Sequence, residues 1–336
     1  MTTETGTVAL LTLGGTIAMA GASHSGVVTR LTGADLAAAV PGWDTLDVRV
    51  DIHDVRAMPS AGLRFADILE VVERAGAAVL AGARGVVVTQ GTDTIEETAY
   101  LIDLVWPHPQ PIVVTGAMRN PTLAGPDGPA NLLAAIRTAA ATDSRDLGAL
   151  VVLNDEIHAA RWVRKTHSTS TATFASPNTG PVGHVIEGAV RVLARPARIA
   201  AVPVPAAETL ATTAVPLHTV TLDDDATLLA LLAGEDAPPI GGLIVSAFGV
   251  GHVPPDMAAT LETIAARVPV VLTSRTGAGS VLRHTYASAG GEIDLLRRGL
   301  IDGGLLHPAK ARILLRMLVA GGAGDAAIRL ALRDHR

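Results

Sequence analysis

Cysteine is absent from the 336 residues, which excludes disulfides, cysteine nucleophiles, thiolate metal sites and iron–sulfur clusters. Aromatic residues are almost as scarce, at three Trp, three Phe and two Tyr. The core must therefore be built from Val, Leu, Ile and Ala, which suits a sheet covered by Ala-rich helices. The same scarcity argues against stacking platforms for single-stranded nucleic acid. Lysine is the third shortage: of 26 basic residues only Lys165 and Lys310 are lysine, and the rest are arginine. Arginine stays protonated, whereas a desolvated lysine can become neutral and act as a base. Long apolar runs are also missing near the start, where Val8 to Leu11 is the only one and no basic residue precedes Arg30. Neither a signal peptide nor a membrane segment is expected, and the expected location is cytoplasmic.

The residues that are present describe a globular chain, 49% hydrophobic and 17% charged, with a net charge of −6. Its length fits two domains at ~150 residues each. The acidic balance argues against a surface that tracks phosphates, so no nucleic-acid partner is expected.

Short β-branched runs end in glycine or polar residues and alternate with helical stretches. Val8 to Leu13, Gly85 to Thr89, Pro111 to Thr115 and Leu147 to Leu153 read as strands. Between and after them, Ala61 to Leu80, Glu96 to Val105 and Asn131 to Ala141 read as helices. Continuous apolar strands separated by helices indicate an α/β domain with a doubly wound, mostly parallel sheet. The chain from Val190 to Pro216 loses periodicity and reads as a linker, after which a smaller α/β alternation with its own parallel sheet follows. The expected division is 1–196, a linker over 197–215, and 216–336. Lys310, on the amphipathic segment beginning at Pro308, reads as a solvated or capping charge.

Open parallel sheets bind ligands at the carboxyl ends of their strands. Three polar clusters fall at such ends: Gly14-Gly15-Thr16, Gly91-Thr92-Asp93-Thr94 after Gln90, and Thr115-Gly116-Ala117-Met118-Arg119. Each alone reads equally as an ordinary turn, and Thr94 with Glu97 fits a helix capping box. The spacing around Gly14 matches neither a dinucleotide loop nor a P-loop. The 11 His residues show no metal-ligand spacing, so neither metal nor cofactor is assigned.

Together, TLGGTIA, VVTQGTDTIEETA, VVTGAMR with DGPANL, the stretch from VVLNDEIHAARWVRKTHSTSTATF to NTGPVG, and LLHPAKARILL resemble the bacterial-type L-asparaginase/glutaminase family, in the family's order. The resemblance implies hydrolysis of a side-chain amide by a threonine nucleophile without metal or organic cofactor. It implies that Thr16 is the nucleophile, Thr92 and Asp93 the second hydroxyl and its acidic neighbour, and Lys165 the family's lysine. It further implies that Ala117 and the Gly91-Thr92 backbone position the amide and its oxyanion. A threonine hydroxyl needs a base to take its proton, and amide cleavage passes through an oxyanion that backbone N–H groups can stabilise. The implied assembly is a homo-oligomer, dimer or tetramer, with sites at subunit interfaces and a small amide as the only partner.

Three departures bear on mechanism. No Tyr lies between Met19 and Leu36, where the family carries one beside its nucleophile; Tyr286 is a candidate replacement from a neighbouring subunit, and His252 and Glu292 are further candidates for a second-subunit contribution. In the substrate-carboxylate loop, Val55 stands where a hydroxyl is usual, and Arg56 reads either as a carboxylate ligand or as a solvent-facing charge. Gly249-Val250-Gly251-His252-Val253-Pro254 replaces a family stretch whose Asn helps read the substrate amine. The expected reaction is conversion of L-asparagine to aspartate and ammonia. Alternatives are hydrolysis of another small amide, a D-isomer or a lactam, and binding of an amino acid with little turnover.

Overall fold

Strands that are apolar throughout need cover on both faces, and the computed structural model of the chain, which describes residues 6–20, 28–29 and 31–335, supplies it. The chain divides into two units, Met1–Ala201 and Val202–Arg336. The first unit runs β1 (Thr7–Thr12), β2 (Met19–Ala20), β3 (Val28–Thr29), α1 (Gly33–Ala38), β4 (Arg49–Asp54), α2 (Phe65–Leu80), β5 (Ala83–Thr89) and α3 (Ile95–Val105). It continues through β6 (Ile112–Thr115), α4 (Gly128–Ala140), β7 (Ala149–Leu153), β8 (Glu156–Ala159), β9 (Arg164–Lys165), β10 (Phe174–Ala175), β11 (Gly183–Ile186) and β12 (Ala189–Val192).

Eight of these strands form one sheet in the order β12-β11-β8-β7-β6-β5-β1-β4. The five strands from β7 to β4 are parallel, and β8, β11 and β12 extend the sheet antiparallel. The chain leaves β1 for β4 on one side and returns to β5 on the other, so the strand order reverses at β1. Ligand crevices open at such a reversal, beyond the strand carboxyl ends. Here Thr12 of β1 stands beside Thr89 of β5, which brings the segments after both strands to one place.

One face of the sheet is filled by Val8, Leu10, Val87, Val113, Leu150 and Val152 packed on Leu132, Ala135, Ile136 and Ala139 of α4. The small residues let α4 approach closely: a Cβ on Gly85 would lie 2.1 Å from the Ala139 carbonyl oxygen. β4 is not an apolar run because it is the sheet edge, with Val50 and Ile52 half-covered between exposed Arg49 and Asp51.

The second unit contains α5 (Ala207–Thr212), β13 (Leu217–Thr219), α6 (Thr227–Ala233), β14 (Leu243–Ala247), α7 (Met257–Ala265), β15 (Val270–Ser274), α8 (Glu292–Arg297), β16 (Ile301–Asp302), α9 (Pro308–Ala320) and α10 (Asp325–His335). Its four strands form a parallel sheet in the order β13-β14-β15-β16. The aperiodic stretch expected as a linker contains the short helix α5, which belongs to this unit. Lys310 corrects another expectation. It is fully buried rather than solvated, because it falls on the side of α9 that buries Ala311, Leu314, Leu315 and Leu318, away from the half-exposed stripe of Ala309, Arg312, Arg316 and Val319. Among the described residues, no helix is long and apolar enough to cross a membrane, and no cluster of three His, Asp or Glu is arranged to hold a metal ion.

Candidate active site

The two glycine turns at the strand reversal are pressed together. Gly15 has φ +87°, and a Cβ there would lie 2.1 Å from the Gly91 nitrogen and 2.3 Å from its Cα. Only glycine permits this approach and this backbone. Thr16 follows at once, opening a short 3₁₀ turn, and its half-buried hydroxyl has no hydrogen-bond partner among the described residues. On the facing turn Thr92 is buried, and the main-chain N–H groups of Gly91 and Thr92 donate to no acceptor among the described residues. Two unspent N–H donors beside two threonine hydroxyls are the parts an oxyanion site needs.

Lys165 arrives from the two-stranded ribbon β9–β10, where it pairs with Phe174. Its Nζ donates to Thr92 Oγ1 at 2.9 Å and to Asp93 Oδ1 at 2.8 Å. The lysine side chain is 16% exposed and that of Asp93 71%, so the ammonium is mostly covered while its counter-charge faces solvent. Because Nζ donates to Thr92 Oγ1, the threonine's own hydrogen must point elsewhere. Glu96, in the first turn of α3, accepts the Lys165 main-chain N–H at 2.5 Å. That contact ties the ribbon to the helix following Thr92 and Asp93. No local sequence signal marks it, since the partners are 69 residues apart.

The Thr94 capping box is not formed. Its hydroxyl makes no cap hydrogen bond; it accepts from Gln90 Nε2 at 3.1 Å and points to the Ser60 carbonyl at 3.4 Å. Thr94 thus braces the turn against the loop after β4 instead of the helix start.

The third cluster is held from α4. Asp127 accepts the Met118 N–H at 3.0 Å and the Arg119 N–H at 2.8 Å. Buried Asn131 donates to the Gly116 carbonyl at 2.9 Å and to Asp127 Oδ2 at 3.1 Å. Ala117 between them is almost fully buried. The DGPAN stretch, legible as a turn and a helix start, therefore also clamps the loop that carries Ala117.

The loop after β4 turns over the end of β1, with the Val55 and Arg56 N–H groups donating to the Thr12 carbonyl. Arg56, read as a carboxylate ligand or a solvent-facing charge, is tied down within the chain, with its side chain 34% exposed. Its Nε donates to Asp67 at 3.1 Å, its Nη1 to the Val55 carbonyl at 2.9 Å, and its Nη2 to Glu70. These acids on α2 hold the guanidinium protonated and occupied. Val55 contributes no side-chain donor. Ser60, not singled out from the sequence, is brought against Gly91 by the same loop.

In the second unit, Tyr286, His252 and Glu292 come together. The rings of His252 and Tyr286 meet edge to face with centroids 4.9 Å apart. His252 Nε2 lies 3.4 Å from Glu292 Oε2, an ion-pair separation without hydrogen-bond geometry. Glu292 Oε1 accepts the Thr285 and Tyr286 N–H groups at 2.9 and 2.7 Å. Burial pushes this carboxyl up, but those donors and neighbouring His252 outweigh it and leave it below the usual carboxylate range.

The parallel sheet with its reversal at β1, the two glycine turns and the lysine–threonine–aspartate contact define an amidohydrolase of the asparaginase type. The chain belongs to the asparaginase family: residues 7–198 match the model "Asparaginase, N-terminal" and residues 214–332 the model "Glutaminase/Asparaginase C-terminal domain". It is 33% identical over 323 residues to an L-asparaginase of Bacillus licheniformis, an alignment covering 93% of this chain and 95% of that one. It is 34% identical over 337 residues to a probable L-asparaginase of Deinococcus radiodurans, covering 96% and 95%. The crystal structure of a probable cytoplasmic L-asparaginase from Campylobacter jejuni superposes with a TM-score of 0.84 at 26% identity, over 98% of this chain and 99% of that one.

Proposed function

We propose that this enzyme hydrolyses the side-chain amide of L-asparagine to L-aspartate and ammonia, with Thr16 as nucleophile. The observation that carries the reading is the Lys165 ammonium, 2.9 Å from Thr92 Oγ1 and 2.8 Å from Asp93 Oδ1, beside a Thr16 hydroxyl without a partner among the described residues. Thr16 Oγ1 attacks the amide carbon, and the Gly91 and Thr92 N–H groups receive the developing oxyanion. The C–N bond breaks as the Thr16 proton passes to the leaving nitrogen, releasing ammonia and leaving an ester on Thr16. Water then adds to the ester carbon, its proton returning to Thr16 Oγ1, and aspartate departs. Lys165 and Asp93 hold the Thr92 hydroxyl so that its hydrogen faces the reacting groups.

Ammonia release by the purified enzyme against L-asparagine, L-glutamine, D-asparagine and a small lactam tests the substrate. L-asparagine should be turned over fastest; release from none of them would reject the reading. A second reading, a different small amide, is favoured by one observation: Val55 carries no polar side chain, and Arg56 spends three of its N–H groups on Asp67, Glu70 and the Val55 carbonyl. The proposal includes a homo-oligomer in which the His252, Tyr286 and Glu292 cluster of one subunit serves the Thr16 centre of another. Mixing inactive Thr16→Ala and Glu292→Gln chains should then restore part of the activity.

A further inference from the structure

Three polar side chains outside the amide site are linked through the core of the first unit. His158 Nδ1 lies 3.0 Å from Ser176 Oγ, and His158 Nε2 lies 3.2 Å from Glu156 Oε2. Serine, histidine and carboxylate in line are the parts of an activated nucleophile, but burial excludes that use. Ser176 is 4% and His158 1% exposed, so no substrate reaches the hydroxyl. A satisfied polar network at that depth rigidifies what it joins.

It joins the main sheet to the ribbon that carries Lys165. His158 lies on β8, opposite Val151 of β7. Its neighbours Ile157 and Ala159 pack into the α4 side of the sheet, and side chains alternate along a strand, so His158 faces the other side. Ser176 follows β10 directly, two residues beyond Phe174, the cross-strand partner of Lys165. A carboxylate only accepts, so a ring with one hydrogen carries it on Nε2 toward Glu156, and Nδ1 is left to accept the Ser176 O–H. On the other strand the Lys165 N–H is held by Glu96. The ribbon thus has an anchor on each strand, Glu96 on β9 and His158 at the end of β10.

We infer that His158 is a positioning residue for Lys165, fixing through Ser176 the ribbon that delivers Nζ to Thr92 and Asp93. It touches neither substrate nor reacting atoms. The inference rests on the asparaginase reading for the chemistry that Lys165 serves. Lys165 holds the Thr92 hydroxyl while bonds form and break, and a displacement of ~1 Å costs on the order of 100-fold in rate. The loss falls on kcat rather than on KM, because the bound amide is not what Lys165 holds.

Asn and Gln replacements separate this anchor from mere packing, since the Asn amide sits where Nδ1 does and the Gln amide where Nε2 does. His158→Asn keeps an acceptor for Ser176, whereas His158→Gln keeps the donor to Glu156 and gives up the ribbon. With L-asparagine, His158→Gln should lose kcat about 10- to 100-fold with KM within a few-fold, and His158→Asn should stay near wild type in both. Ser176→Ala cuts the same bond from the other end and should match His158→Gln, and the double variant should lose no more than either alone. Amide hydrogen exchange over residues 164–175, which needs no turnover, should quicken in His158→Gln and Ser176→Ala but not in His158→Asn. Equal kcat losses in the Asn and Gln variants, additive losses in the double variant, or unchanged exchange in folded His158→Gln would overturn the assignment. If neither His158 variant folds, the kcat, KM and exchange of Ser176→Ala take their place with the same expected and overturning results. Wild-type protein that hydrolyses no amide would reject the asparaginase reading, and the exchange comparison would still decide the anchor.

Discussion

Gly15→Ala separates two effects that a glycine substitution usually mixes. The added Cβ would sit 2.1 Å from the Gly91 nitrogen, and real Cβ atoms essentially never come under 3.0 Å, so the two turns must part by about 1 Å. Moving reacting groups by that much costs on the order of 100-fold in rate. Stability changes too: a positive φ strains alanine by ~1–2 kcal/mol, and forcing a close-packed contact apart adds ~1–3 kcal/mol. Gly82→Ala is the control, because Gly82 has φ +103° but nothing within 4 Å of its Cβ position. It bears the strain alone. For a unit of about 200 residues each kcal/mol moves the melting temperature by roughly 2–4 °C. Gly15→Ala should therefore melt below Gly82→Ala, and kcat/KM should fall about 100-fold in Gly15→Ala only. Calorimetric melting and steady-state kinetics of the two proteins decide it. A folded Gly15→Ala enzyme with wild-type kcat/KM would refute the claim that the Gly15–Gly91 apposition sets the threonine geometry.

Three further outcomes follow from the same contacts. Lys165→Arg should lower kcat/KM by roughly 10- to 100-fold, since a planar guanidinium cannot set one nitrogen donating to both Thr92 Oγ1 and Asp93 Oδ1; near-wild-type kinetics would show that only positive charge is needed. Asp127→Ala removes the acceptor of the Met118, Arg119 and Asn131 donors, and should cost about 2–4 kcal/mol in urea unfolding together with a lower kcat; Asp127→Asn should recover part of both. Asp224 and Glu292 are held below the usual carboxylate range: burial pushes each up, and main-chain donors outweigh it, with His218 adding to the effect on Asp224 and His252 to that on Glu292. A depressed folded pKa gives stability that is present above the unfolded value near ~4 and is lost as pH falls through the folded one. Melting of Glu292→Gln should therefore depend less on pH below ~4 than melting of the wild type.

The sequence was most informative where structure is local. Val8 to Leu13 and Gly85 to Thr89 read as strands because both faces are buried, and their polar ends mark the reversal where the turns meet. Edge strand β4 escaped that criterion, since four of its six residues are exposed. Long-range contacts were silent: Glu96 finds the Lys165 backbone only through the fold. Thr94 shows a local rule overridden, with the capping partner present in sequence and the hydroxyl turned toward Gln90 and Ser60 instead. The lysine count held information in both places. Lys165 is mostly covered and Lys310 wholly so, so neither serves as an ordinary solvated charge, although for Lys310 the amphipathic pattern suggested one.

The central claim is that amide hydrolysis here runs through the Thr16 hydroxyl. Its most direct test is the time course of ammonia and aspartate release from L-asparagine by the wild type and by Thr16→Ala, with melting curves to show that both are folded. The account predicts equal amounts of both products from the wild type and near-complete loss in the variant; undiminished release by folded Thr16→Ala would contradict it.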